Sequence, residues 1–126
     1  MISTLLLILA TTAVVSTSAS TSSYACQSRE CYATGCFSDG SWGPGPGTGV
    51  RIKRSGMIAA VHPGTLPCGT WIEINGERRW VIDRAGPDVP RGGVDLLMPS
   101  RKQFGRKQMK YKIVGRQIPD DSPRKK

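Results

Sequence analysis

The single histidine of this chain, His62, lies upstream of Asp83 and Asp95 in a stretch, residues 58–95, where short apolar runs alternate with Gly, Pro and Asn. These residue types suit proton transfer: a carboxyl set among apolar groups keeps its proton to higher pH, and an imidazole changes charge near neutrality. Asp83 closes the run Trp80-Val81-Ile82-Asp83 and is the candidate acid/base, with His62 as its assistant. Asp95, flanked by Val94 and Leu96, is a further candidate carboxylate. Each has an ordinary structural alternative. His62 suits a structural hydrogen bond, Asp83 a buried pair with Arg84 or a cap on the loop backbone, and Asp95 a hold on loop amides or on Arg84.

The elements that must position these groups read as short strands. Asn75-Gly76 between Thr70–Ile74 and Glu77–Asp83 is the preferred two-residue hairpin turn, because both central residues must take positive φ. The implied register sets Ile74 opposite Glu77, Glu73 opposite Arg78 and Trp71 opposite Trp80, leaving Ile72, Ile74 and Val81 on the other face, with Asp83 following Val81. Further strands are expected at 30–37, 50–53, 57–61, 94–98 and 111–114, and Ser100 to Gln103 has the spacing of a capping box opening a short helix that Gly105 would end. The segments 38–49 and 84–93 are rich in Gly and Pro and read as long surface loops. Trp42, in the first of them, suits either core packing or an exposed platform for a sugar ring. Many short strands, irregular loops and one brief helix predict a mainly β fold, a small β-barrel.

With 126 residues the chain fits one small domain with appendages. The apolar run from Ile2 to Val15 followed by small residues reads as a secretory signal peptide over 1–19, with cleavage after Ala19 or Ala25, and an uncleaved anchor as the alternative. Residues 20–29 read as a polar linker, 30–115 as the domain and 116–126 as a basic, disordered tail. Cys26, Cys31, Cys36 and Cys68 form an even set in an exported chain, so two disulfides are expected, with Cys68 tying the central stretch to the N-terminal segment and the pairings open. Lipidation of Cys26 is a further option. Metal ligation is disfavoured because no CxxC occurs and the only His stands elsewhere, so neither metal nor cofactor is expected. A net charge of +9 points to an anionic partner, and export favours an extracellular polymer or surface over nucleic acid.

The run Ala60-Val61-His62-Pro63-Gly64-Thr65-Leu66-Pro67-Cys68-Gly69-Thr70, then Ile82-Asp83-Arg84-Ala85-Gly86-Pro87, then Val94-Asp95-Leu96, resembles the double-psi β-barrel domain of the rare lipoprotein A type. It is also similar to the three-aspartate domain of bacterial and phage cell-wall enzymes, and more distantly to the barwin and expansin barrels. The resemblance covers about residues 30–115 and rests on the order of the three motifs. Against the family pattern, Ala85 is inserted after Asp83-Arg84, Cys68 replaces an apolar residue, and His62 stands where the three-aspartate group has Asp.

The resemblance implies a six-stranded double-psi barrel with long Gly/Pro loops and one short helix, around a groove for peptidoglycan glycan. It implies catalysis by Asp83 with His62, places Tyr32 and Asp95 at the groove, and implies a lytic transglycosylase reaction; Trp42 and Arg84 join Tyr32 and Asp95 as the candidate substrate-binding residues. Such a reaction needs one group that gives a proton to the leaving oxygen and then takes one from the sugar's 6-hydroxyl; a hydrolase would want a second carboxylate, with Asp95 the candidate. The expected protein is secreted, periplasmic or attached to the cell envelope, monomeric, without a membrane span in its mature form, and partnered by peptidoglycan or another anionic wall polymer. The alternatives are a noncatalytic expansin-like wall-binding module and a barwin-like secreted defence protein.

Overall fold

The computed structural model describes residues 15–26, 32–33, 35–45, 48–53 and 57–120. Eight strands occur in this set: β1 Thr17–Tyr24, β2 Tyr32–Ala33, β3 Ile52–Lys53, β4 Ile58–Val61, β5 Thr70–Ile74, β6 Glu77–Arg84, β7 Val94–Leu97 and β8 Lys107–Arg116. Six of them close into a barrel in the order β1-β7-β4-β6-β5-β8, while β2 and β3 pair separately. The pairs β1/β7 and β4/β6 are parallel and the remaining barrel pairs antiparallel. Exchanging β1, β4 and β5 for β6, β7 and β8 maps every pairing onto another of the same sense. The connectivity therefore has an internal twofold symmetry, compatible with a double-psi barrel, and the mainly β, six-stranded class expected from sequence is the one observed.

The hairpin follows its turn. Asn75 and Gly76 both have positive φ, at 52° and 77°. The ladder sets Ile74 against Glu77, Glu73 against Arg78 and Trp71 against Trp80. The two indoles stack with ring centroids 5.8 Å apart and planes 9° from parallel. Ile72, Ile74 and Val81 enter the main core with Ala19, Ala59, Val61, Leu66, Val94, Leu96 and Tyr111. Alternation along the same strands sends Ile58, Ile82 and Leu97 to the other face, where they form a second cluster with Ala33, Cys36 and Cys68. Glu73 forms its ion pair with Lys112 of β8 at 3.1 Å, although Arg78 lies opposite it in the hairpin.

The structure sets several boundaries differently from the sequence reading. The first barrel strand occupies Thr17–Tyr24, the region read as the end of a signal peptide and the start of a linker. It lies between β7 and β8 and buries Ala19 and Thr21, the latter donating its hydroxyl to the Ala19 carbonyl at 3.1 Å. Its inward residues are small, so no apolar alternation betrays it. The short strands at Tyr32 and Ile52 pair outside the barrel. Residues 116–119 are not a free tail: Arg116 donates to the Cys68 and Gly40 carbonyls, the Gln117 amide donates to Gly69, and Pro119 is buried. Residues 121–126 of the expected tail, and 1–14 of the expected signal, lie outside the described residues. The expected helix is a three-residue 3-10 turn, Ser100–Lys102. Pro99 holds the cap position, so Ser100 sits one residue too late to close a capping box.

Cys36 and Cys68 form a disulfide, and both side chains are buried. It closes a span of 32 residues, for which chain entropy gives about 3–4 kcal/mol of stabilisation. The bond ties the loop before β5 to the segment preceding Trp42, as the position of Cys68 suggested. Cys26 is disulfide-bonded as well, which removes the thiol that lipidation would need; Cys31 lies outside the described residues. Buried disulfides are typical of oxidising compartments. Among the described residues no helix is long and apolar enough to cross a membrane.

The position of β1 makes the processing point testable. A chain beginning at Thr17 is expected to show a cooperative thermal transition. One beginning at Ser20 loses the buried Ala19 and the pairs of Thr17, Ser18 and Ala19 with β8. Its melting temperature should fall by roughly 10 °C, for a loss of about 2 kcal/mol in a domain of this size. One beginning at Cys26 lacks the strand and should show no cooperative transition by circular dichroism.

Candidate functional site

The parallel pair β4/β6 and the antiparallel pair β4/β7 share Ala60 as a register partner: it faces Asp83 on one side and Asp95 on the other. The two aspartates therefore sit two strands apart, at roughly 10 Å between backbones, with only a methyl group between them. A shift in the β4/β6 register between Ala59 and Ala60 brings Asp83, rather than Ile82, into this row. Both are buried, at 4% and 9% exposure.

Strand β1 supplies the hydroxyls that meet them. Tyr24 Oη donates to Asp83 Oδ2 at 2.8 Å, and Ser22 Oγ donates to Asp95 Oδ1 at 2.9 Å. Two residues apart on a strand, Ser22 and Tyr24 share a face, so one strand serves both carboxyls. The Arg84 amide donates to Asp83 Oδ1 at 3.1 Å, while the Arg84 guanidinium reaches away to the Gly43 carbonyl at 2.6 Å. Asp83 thus caps its own backbone, and Arg84 braces the loop that holds Trp42. Burial raises the Asp95 carboxyl above the usual carboxylate range; the Ser22 hydrogen bond opposes this, the charges of Asp88 and Asp83 add to it, and Arg106 opposes it. Asp95 accordingly holds a proton more readily than a solvated aspartate.

His62 follows β4 at the same end of the barrel. Its Nε2 donates to the Val89 carbonyl at 2.6 Å, which leaves Nδ1 as the acceptor of the neutral ring. The bond pins the loop between β6 and β7, where Val89 also donates its amide to Gly86. Ala85 donates its amide to the Val61 carbonyl at 3.1 Å, so the inserted residue extends the β4/β6 ladder. His62, Pro63, Arg84 and Arg91 line a cleft of about 560 Å³ with Pro87, Val89 and Pro90. His62, Pro63 and Arg91 also border an adjoining cleft of about 460 Å³ that runs to Thr17, Ser18 and Tyr111.

The sequence-derived candidates do not all converge. Asp83, Asp95, His62 and Arg84 share one end of the barrel. Trp42 is half-buried, packs against both clusters and donates its indole N–H to the Leu66 carbonyl at 2.8 Å. Gly35 makes room for it: a Cβ there would come within 2.8 Å of both the Trp42 ring and the Arg84 side chain. Tyr32 stands in the small β2/β3 sheet with the Arg51 guanidinium 4.0 Å from its ring centroid. Sequence reasoning missed Ser22, Tyr24, Arg91 and Arg106. The first two lay in a segment read as linker, where no apolar alternation marks a strand. Among the described residues no group of three or more His, Cys, Asp or Glu is placed to hold a metal ion. Comparison with protein-family models, curated proteins and solved structures finds no match to this chain.

Two substitutions probe this arrangement. Tyr24→Phe keeps the ring and removes the donor to a buried carboxyl, so it should cost about 1–3 kcal/mol in chemical denaturation. Burial raises the Asp95 carboxyl in the fold; the stability its protonated form gives is fully present below the ordinary carboxylate value and is lost as pH rises through the raised one. Asp95→Asn mimics the neutral form. Its melting temperature relative to the parent should therefore be higher at about pH 7 than at about pH 3.

Proposed function

We propose that this chain is an exported, double-psi barrel protein that binds peptidoglycan glycan and cleaves it as a lytic transglycosylase. The observation that carries the reading is the row Asp83-Ala60-Asp95, two buried carboxyls held by hydroxyls of β1 at the barrel end where His62, Arg84 and Arg91 line a cleft. The twofold strand connectivity and the ordered motifs around His62, Asp83 and Asp95 support the family resemblance.

Asp83 is the acid/base. It gives its proton to the leaving glycosidic oxygen as the bond to the anomeric carbon breaks. Its carboxylate then takes the proton of the sugar's 6-hydroxyl as that oxygen attacks the anomeric carbon, closing a 1,6-anhydro ring without water. Asp95, whose carboxyl burial pushes above its ordinary value, is the second carboxyl of the row. His62 holds the 86–89 turn through its Nε2 bond to the Val89 carbonyl and lines the cleft. The cations Arg84 and Arg91 suit a substrate bearing carboxylates, and the net charge of +9 favours adhesion to an anionic wall. A second reading, a binding module without turnover, is favoured by one observation: Asp83 is only 4% exposed and accepts hydrogen bonds at both oxygens.

Product analysis decides between them. Purified protein incubated with peptide-stripped glycan should release 1,6-anhydromuramyl ends, detected by mass spectrometry, and Asp83→Asn should abolish them. New reducing ends would indicate hydrolysis with Asp95 as second carboxylate; binding without products would leave the module reading. Wall binding should also weaken as salt rises.

A further inference from the structure

The stacked indoles of the hairpin stand three residues along β6 from Asp83 and take no part in the carboxyl site. Trp80 packs against the second core cluster and donates its N–H to the carbonyls of Gln117, at 2.9 Å, and Gly69, at 3.1 Å. Trp71 lies over Trp80 and donates to Gln117 Oε1 at 3.2 Å. One indole is thus anchored from below, and the other borders a separate cleft of about 460 Å³ lined by Met57, Arg78, Val114, Gly115, Arg116 and Gln117.

The lining has a consistent chemistry. Among the described residues it contains two guanidinium groups and no carboxylate. Arg116 is held by two backbone carbonyls, which fix it without neutralising it. Arg78 is exposed and has no hydrogen bond or ion pair among the described residues, because Glu73 across the hairpin is taken by Lys112. Met57 and Val114 leave apolar surface in the open, at 45% and 37% exposure. Gly115, the register partner of Trp71, adds no side chain, and a Cβ there would meet nothing within 4 Å.

We propose that this cleft is a second, noncatalytic carbohydrate site, which takes an acidic pyranose unit of a polysaccharide chain. The apolar face of the sugar lies on Trp71 and its carboxylate pairs with Arg78, with Arg116 adding a fixed positive field. Trp71, already held by its stacking on Trp80 and by its N–H bond to Gln117 Oε1, loses little freedom on binding, which favours a site of this kind. A carboxylate also matches the planar donor fork of arginine. The site is independent of the chemistry at Asp83.

The test uses a hexamer of galacturonic acid and its carboxyl-reduced neutral counterpart, titrated by calorimetry against the whole protein. The acidic hexamer should bind, and Trp71→Ala and Arg78→Ala should each weaken it by about tenfold or more. Gly115→Leu adds a side chain where the fold leaves space, so it fills the cleft without disturbing the barrel and should block binding while leaving the melting temperature within about 3 °C. Failure of the hexamer to bind, equal affinity for the neutral hexamer, unchanged affinity in Gly115→Leu, or equal competition by polyglutamate would each overturn the proposal, the last by assigning the cleft to an acidic peptide.

Discussion

The closure of the barrel by Thr17–Tyr24 is the constraint on which the rest of the structure depends. This strand pairs in parallel with β7 and antiparallel with β8, so without it each of those strands would lose a neighbour and the barrel would be an open sheet with two bare edges. The same strand carries the hydroxyls that satisfy Asp83 and Asp95. A strand built of Ser, Thr and Ala contributes little hydrophobic energy of its own. Its value is geometric: small side chains at Ala19 and Thr21 fit the crowded interior, and hydroxyls on the other face supply donors where buried carboxyls need them.

Burying two carboxyls within one row of a sheet is costly unless each is neutralised or hydrogen-bonded. The structure meets that demand unequally. Asp83 receives a phenol and a backbone amide, while Asp95 receives one hydroxyl and has the charges of Asp83 and Asp88 near it. For Asp95 burial outweighs its single hydrogen bond, and its carboxyl is pushed above the ordinary value. Perturbed carboxyls of this kind occur in catalytic sites and in structural networks alike.

The loops around this end are fixed by covalent and polar ties rather than by apolar packing alone. The Cys36–Cys68 bond, the Trp42 indole N–H on Leu66, and the Arg84 guanidinium on Gly43 brace the long Gly/Pro loop against the barrel. His62 on Val89 and Arg106 on the Asp88 carbonyl do the same for the loop after β6. A small barrel has limited core to spend on its connections, and directional bonds to backbone carbonyls hold irregular segments that cannot pair with one another.

What the sequence determined by itself is the hairpin, its register, the mainly β class and the central stretch holding Asp83, His62 and Asp95. These follow from local chemistry: Asn75-Gly76 meets a demand for positive φ, and Trp, Ile and Val alternate with polar residues at the strand period. Tertiary structure alone decided that Ser and Thr at 17–24 form a strand, that Tyr24 meets Asp83, that Trp42 packs inward, and that Glu73 pairs with Lys112. Each of these depends on which distant segment lies alongside. A small polar strand is indistinguishable from a linker until β7 and β8 bury it, and an ion pair forms with whichever neighbouring strand brings the better-placed cation.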